Sequence, residues 1–330
     1  MRAVLISTYD MGRQPLGLAL PAAWLRRAGV EVICADVSRE PLRGETLMGA
    51  DAVGLFLPMH TATRLALDLL PRLRAVAPRA RFFGYGIYAE LYRAQLLRPD
   101  RLDAVFGAEY EAALTEYVLR NRMEQAGDLP RLPAVVPDRG GLPPLARYAR
   151  LQLGDGRSRL AGYAEASRGC KHQCRHCPIV PVYEGRFRVT AVEAVLADIR
   201  QQVAAGAEHI TFGDPDFFNG PTHALRVAEA LHREFPALSY DVTIKVEHLR
   251  RHAELLPELQ RTGCVLITTA AESFDNEVLR HLDKGHTRSD FEAALEEARG
   301  LGLALNPTFV SFTPWTTANS FAAMLGALAA

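Results

Sequence analysis

Residues 166–178 read Ala166-Ser167-Arg168-Gly169-Cys170-Lys171-His172-Gln173-Cys174-Arg175-His176-Cys177-Pro178, three thiols spaced C-x3-C-x2-C just after a short strand-like run. Thiolates gathered on one loop can hold a metal centre, and three of them fill only three corners of a cubane [4Fe–4S] cluster. The fourth iron is then open to another ligand. A structural zinc ion needs a fourth Cys or His, and His172 or His176 can serve. Both lie inside the loop, however, whereas zinc ribbons pair two separate knuckles. Zinc stays as the alternative to the cluster. The spacing is not the C-x2-C-x2-C of a bacterial ferredoxin, and Pro178 stands where haem attachment through C-x-x-C-H needs its histidine.

From Tyr163 onward the sequence alternates β-rich and amphipathic helical runs. Strands are predicted at Tyr163–Ser167, His209–Gly213, Ser239–Lys245, Val265–Ala270 and Ala304–Val310. Helices are predicted near Ala191–Ala205, His223–Glu234, Leu249–Arg261, Asn276–His281 and Ser289–Arg299, with Thr287 as an N-cap. A parallel α/β barrel places its chemistry at the carboxyl ends of its strands, and the cysteine loop follows the first of these.

Upstream, the same alternation runs to about residue 122. Strands fit Ala3–Ser7, Val30–Ala35, Ala52–Leu57, Arg81–Tyr85 and Ala104–Phe106, and helices fit Leu16–Ala28, Thr63–Val76, Tyr88–Leu97 and Glu109–Arg120, the first closed by Gly29. Five strands with intervening helices predict a flavodoxin-like doubly wound sheet, with ligands beyond the strands' carboxyl ends near Thr8–Gln14, Pro58–Thr63 and Gly84–Tyr88. Between the two regions, residues 125–160 interleave Pro130, Pro133, Pro137, Pro143 and Pro144 with glycine and arginine. That composition predicts an extended linker. The expected division is 1–124, 125–160 and 161–330.

The bulk properties narrow the function. The chain has 330 residues, 48% hydrophobic, and a formal net charge of +0, so no excess positive charge advertises nucleic acid or an anionic membrane. Its five cysteines are the loop trio plus Cys34 and Cys264, each in an apolar run. Such a set predicts buried small hydrophobes rather than disulfides, and a reducing cytoplasmic setting. The N-terminal apolar run is too short for a signal peptide, and no stretch approaches a membrane span.

The stretch from Tyr163 to Pro178, including His176 before the third cysteine, resembles the cluster loop of the radical S-adenosylmethionine (SAM) enzymes. The resemblance implies a [4Fe–4S] cluster on Cys170, Cys174 and Cys177, with SAM chelating the open iron. SAM would be cleaved to a 5′-deoxyadenosyl radical, and an external donor such as flavodoxin or ferredoxin would supply the electron. It further implies that Gly213, Asp214 and Asp216 receive the SAM amino group, through backbone carbonyls and side chains. Lys245 would meet its carboxylate, and Glu272 or Ser273 its ribose hydroxyls, Glu272 preferred because a carboxylate can accept from both hydroxyls of a diol. Leu282-Asp283-Lys284-Gly285-His286-Thr287-Arg288 is similar to a segment common after this strand in the family, and Asn306 and Thr308 are candidate adenine contacts. The family's core has six βα units. Five strands precede Ala330, so the core is expected to be incomplete at its C-terminal end.

A flavodoxin-like domain, a proline-rich linker and a radical SAM core together look like the cobalamin-dependent branch. Gly84-Tyr85-Gly86 and Gly107-Ala108-Glu109-Tyr110 stand where relatives carry paired glycines and G-E-G-E, and no D-x-H-x-x-G motif is present. The expectation is methyl transfer or a related radical modification of a small metabolite. The alternatives are a radical SAM enzyme without cobalamin acting on RNA or peptide, and a non-catalytic iron–sulfur or zinc module.

Overall fold

The computed structural model describes residues 1–122 and 129–329. They divide into two compact units. One comprises Met1–Tyr163, Pro181–Tyr183 and Ala197–Ala207, the other Ala164–Val180, Glu184–Leu196 and Glu208–Ala330. The expected boundary at 124–125 lies outside the described residues.

In the first unit, strands β1 (Arg2–Ser7), β2 (Glu31–Asp36), β3 (Ala52–Phe56), β4 (Arg81–Tyr85) and β5 (Ala104–Phe106) form one parallel sheet in the order β2-β1-β3-β4-β5. Side chains alternate across a strand, and both faces here are buried. Ala3 and Leu5 join one core with Leu18, Leu25, Leu114 and Tyr117, from helices Leu16–Arg27 and Glu111–Arg120. Val4 and Ile6 join a second core with Ala66, Leu70 and Leu73, from helix His60–Val76. This is the expected doubly wound arrangement. Gly29 closes the first helix with φ +81°, and Gly29 N donates to Arg26 O at 3.0 Å while Val30 N donates to Leu25 O at 3.0 Å. That paired bonding requires a left-handed residue, which glycine adopts without steric cost. The helix expected over Tyr88–Leu97 is two short ones, Ile87–Leu91 and Arg93–Leu96, broken at Tyr92.

The stretch expected to be extended is less uniform than its composition predicts. Residues 150–164 make an antiparallel hairpin of β6 (Arg150–Gln152) and β7 (Ser158–Ala164), turned at Gly154-Asp155-Gly156. Upstream of it, Arg139 is anchored in the first unit by four hydrogen bonds. Its guanidinium donates to Asp198 Oδ1 (2.7 Å) and Oδ2 (2.8 Å), to Gln14 Oε1 (2.9 Å) and to Tyr163 O (2.7 Å).

In the second unit, β10 (His209–Phe212), β11 (Ser239–Thr243), β12 (Cys264–Glu272) and β13 (Ala304–Phe309) are consecutive parallel neighbours, forming part of a parallel α/β barrel. Buried His209 locks the β10–β11 register, its ring nitrogens 2.8 Å from Ser239 Oγ and from Asp241 Oδ1. The strand predicted over Tyr163–Ser167 is interrupted. β7 ends at Ala164, and Ser167–Gly169 is a separate strand, β8, paired antiparallel with β9 (Phe187–Val189). The predicted helix over Leu249–Arg261 is likewise broken. It consists of Val246–Arg251, a 3₁₀ turn at Ala253–Leu255, and Leu256–Arg261 with Pro257 in its first turn, a position where the missing N–H of proline costs no helical bond.

Candidate cluster and cofactor site

The cysteine loop leaves β8 at Gly169, whose φ is +77°. Asn219 holds this exit: its Oδ1 accepts from Lys171 N (3.0 Å) and its Nδ2 donates to Gly169 O (3.2 Å). Farther along, Arg175 N donates to Leu282 O (3.1 Å), and Cys177 N donates to Cys174 O (3.1 Å) in a tight turn. Cys174 is buried, Cys170 and Cys177 are partly exposed, and all three thiols are free. Burial pushes the Cys170 thiol up to about 11 and also raises Cys177. Metal binding acts against that rise at Cys170 and Cys177, because a ligating thiol gives up its proton.

Asp214, beyond β10, is built into the base of this loop. Its Oδ2 accepts from Ala166 N (2.9 Å) and its Oδ1 from Ser167 Oγ (2.6 Å). Burial raises its carboxyl to about 7, against the lowering by these hydrogen bonds. Gly213 N donates to Ala164 O at 2.8 Å, fixing the preceding residue. Asp216 Oδ1 accepts from Phe218 N (3.1 Å), and its other oxygen faces His172 and His248.

The strand expected to run to Lys245 ends at Thr243, and Lys245 stands directly before helix Val246–Arg251, its Nζ 3.0 Å from both His172 Nδ1 and Glu247 Oε2. Glu272 ends β12 with φ +64°, an uncommon value for a non-glycine residue. Its Oε1 is 3.0 Å from His176 Nε2 and 3.1 Å from Lys284 Nζ. Burial raises the Glu272 carboxyl, but the bonds from His176 and Lys284 outweigh it and the net shift is downward. Ser273 Oγ accepts from Asp275 N at 3.0 Å. Gly285 packs so closely that a β-carbon there would lie 2.5 Å from Glu247 Oε2. His286 Nε2 is 3.3 Å from Ala271 O, and Thr287 caps the following helix through a reciprocal bond pair with Asp290.

The cysteines, Asp214, Asp216, Lys245 and Glu272 thus belong to one connected set of loops at the carboxyl ends of parallel strands. Residues 165–313, which contain all of them, match the family model of the radical SAM superfamily. Residues 165–313 form a radical SAM domain. The chain is 26% identical over 323 residues to the hopanoid C-3 methylase of Methylococcus capsulatus, covering 92% of this chain and 62% of that protein. It thus spans somewhat less than two thirds of the methylase. In fold it is similar to the radical SAM methyltransferase TsrM of Kitasatospora setae, solved with cobalamin and a [4Fe–4S] cluster (TM-score 0.74, 17% identity, 99% of this chain and 70% of that one). A second TsrM structure holds tryptophan substrate and a SAM analogue. The cobalamin-dependent SAM radical enzyme OxsB has a TM-score of 0.71 at 16% identity, over 98% of this chain and 51% of that one.

Several residues that shape the radical SAM domain's site escape a reading of the sequence. Asn219 sits in an unremarkable Phe-Phe-Asn-Gly turn, and Ser167 and Lys284 acquire meaning only through their carboxylate partners. Among the described residues no helix is long and apolar enough to cross a membrane.

Proposed function

We propose that this chain carries out cobalamin-dependent radical SAM chemistry, transferring a methyl group to a small metabolite or making a related radical modification. The observation that carries the reading is the C-x3-C-x2-C loop. It presents three free thiols at the carboxyl end of a parallel α/β core, with its backbone clamped by Asn219 and its base by Asp214. Three thiols with no fourth cysteine in the loop suit a [4Fe–4S] cluster with one open iron. The likeness to the methylase, to TsrM and to OxsB supports a methyl-transfer outcome, and the β2-β1-β3-β4-β5 sheet supports cobalamin at its carboxyl end.

When bound, the cluster, SAM and cobalamin supply the radical and methyl-carrying chemistry, and the protein supplies binding and orientation. Cys170, Cys174 and Cys177 hold the cluster. Asp214 spends its carboxylate on Ala166 and Ser167 and so fixes the loop. The backbone of Gly213 to Asp216 receives the SAM amino group. Lys245, held by Glu247, meets the SAM carboxylate, and Glu272, kept anionic by Lys284 and His176, binds the ribose diol with Ser273 beside it. A flavodoxin or ferredoxin donates the electron.

The test is anaerobic reconstitution with iron and sulfide, followed by electron paramagnetic resonance of the reduced protein with and without SAM. A [4Fe–4S]⁺ signal that shifts with SAM, 5′-deoxyadenosine among the products and uptake of cobalamin are expected. Glu272→Gln should keep the cluster while weakening SAM binding at least about tenfold, the loss of one charge-assisted hydrogen-bonding group. A cluster indifferent to SAM would overturn the reading.

A further inference from the structure

Beside the cysteine loop, three side-chain atoms from three separate elements converge without a hydrogen bond among the described residues. They are His172 Nε2 from the loop, Asp216 Oδ2 from the turn after β10, and His248 Nδ1 from helix Val246–Arg251. Asp216 Oδ2 is 3.4 Å from His172 Nε2 and 2.7 Å from His248 Nδ1, and the three atoms lie within 4.8 Å of one another. The 2.7 Å approach has no hydrogen-bonding alignment. Asp216 is 1% exposed and His248 4%. Asp216 already uses its other oxygen on Phe218 N. Interior polar atoms are normally paired, and leaving three of them together unpaired is costly unless something occupies the point they face.

We propose that His172, Asp216 and His248 bind one divalent transition-metal ion of the zinc class, as a second metal centre distinct from the cysteine cluster. Two imidazoles and one carboxylate suit Zn²⁺, Fe²⁺ or Co²⁺ and not the all-oxygen preference of Mg²⁺ or Ca²⁺. Bonds of about 2.0–2.1 Å in tetrahedral geometry put ligand atoms roughly 3.3 Å apart, and the observed separations bracket that value. The two imidazole rings are tilted by 57° with centroids 4.5 Å apart, so they approach as two ligands do and not as a parallel stack. Glu247 supplies the outer support. Its Oε2 lies 3.5 Å from His172 Nδ1 and 3.0 Å from Lys245 Nζ; since Lys245 Nζ is also 3.0 Å from Nδ1, ligation through Nε2 requires the Nδ1–H to donate to Glu247 in place of the contact Nδ1 now accepts from Lys245. The ion would tie the Cys170–Cys174 segment to the turn after β10 and to the helix after β11, bracing the loop by a bond no thiol makes.

The full chain with Cys170, Cys174 and Cys177 all changed to Ser, stripped with chelator, separates this site from the thiols. Titrated with Co²⁺, it is expected to take up about one equivalent per chain with visible d–d absorption, displaced by Zn²⁺. Adding Asp216→Asn, near-isosteric, or His248→Ala should weaken uptake by about tenfold or more while circular dichroism and the thermal transition remain those of a folded chain. In reconstituted protein with its cysteines intact, elemental analysis should find about one zinc beside the iron, lost in His248→Ala with iron retained. No Co²⁺ uptake by the cysteine-free chain, or uptake equal in Asp216→Asn and His248→Ala, overturns the proposal and leaves the cluster reading untouched.

Discussion

Replacing Arg139 with Met tests how the segment between the two sheets is anchored. The Arg139 and Asp198 side chains are 7% and 4% exposed and meet through two parallel N–H···O bonds of 2.7 and 2.8 Å. An exposed pair of this kind contributes about 0–1 kcal/mol. A buried pair that loses one partner costs about 3–5 kcal/mol, because the remaining charge is left in the interior without compensation. Arg139→Met leaves Asp198 with Gln202 Nε2, 3.2 Å away, as its one remaining side-chain donor among the described residues. The expected loss is therefore about 3–4 kcal/mol.

The double variant Arg139→Met/Asp198→Leu removes both charges. Tyr163 keeps its carbonyl bond from Gln202 Nε2 (3.1 Å) and its N–H bond to Gln202 Oε1 (2.7 Å), and Gln14 keeps its bond to Pro143 O (3.0 Å). The double variant should thus lie within about 1–2 kcal/mol of the parent, giving a coupling of roughly 2 kcal/mol or more. Trp24 belongs to the first unit, so urea unfolding followed by its fluorescence in a Trp315→Phe background reports on this region. An Arg139→Met cost below about 1 kcal/mol, or a double variant as unstable as the single, would refute the reasoning.

Gly29→Ala should cost about 1–2 kcal/mol by the same assay, all of it backbone strain at φ +81°, since nothing lies within 4 Å of the added carbon. Thr287→Ala removes the helix cap and one side of its reciprocal bond pair; a loss of about 1 kcal/mol is expected in thermal unfolding, and no change would show that the cap contributes nothing. In metal-free protein at pH 8, iodoacetamide with mass-spectrometric readout should label Cys170 and Cys177 well before Cys34 and Cys264. The last two are buried thiols pushed up to about 12, so their reactive thiolate grows only as pH rises toward that value; early labelling of Cys34 would contradict its burial.

The first sheet was legible because each of its strands is a short apolar run between helical periods. Both faces of the sheet are buried, so β4 after Arg81 and all of β5 lack charged residues, and their limits agree with those read from sequence. The β8–β9 pairing was not legible. It joins two three-residue strands across the whole cysteine loop, and three residues carry too little periodicity to signal a strand. The break at Ala164 has the same origin: an apolar run gives no sign that Asp214 will take Ala166 N out of a continuous ladder.

The same distinction separates the two constellations proposed to bind metal. Cys170, Cys174 and Cys177 sit within eight residues, so the polypeptide itself imposes their proximity and the spacing is readable before any fold is known. His172, Asp216 and His248 come from a loop, a turn after one strand and a helix after the next, and they meet only because β10 and β11 are adjacent and in register, His209↔Ser239. His209 enforces that register through Ser239 and Asp241. His209, which opens the strand predicted from sequence and is buried in the structure, therefore helps set where Asp216 and His248 stand relative to each other. Since His172 lies between two of the cysteines, the geometry available to the cluster loop depends on strand pairing well below it.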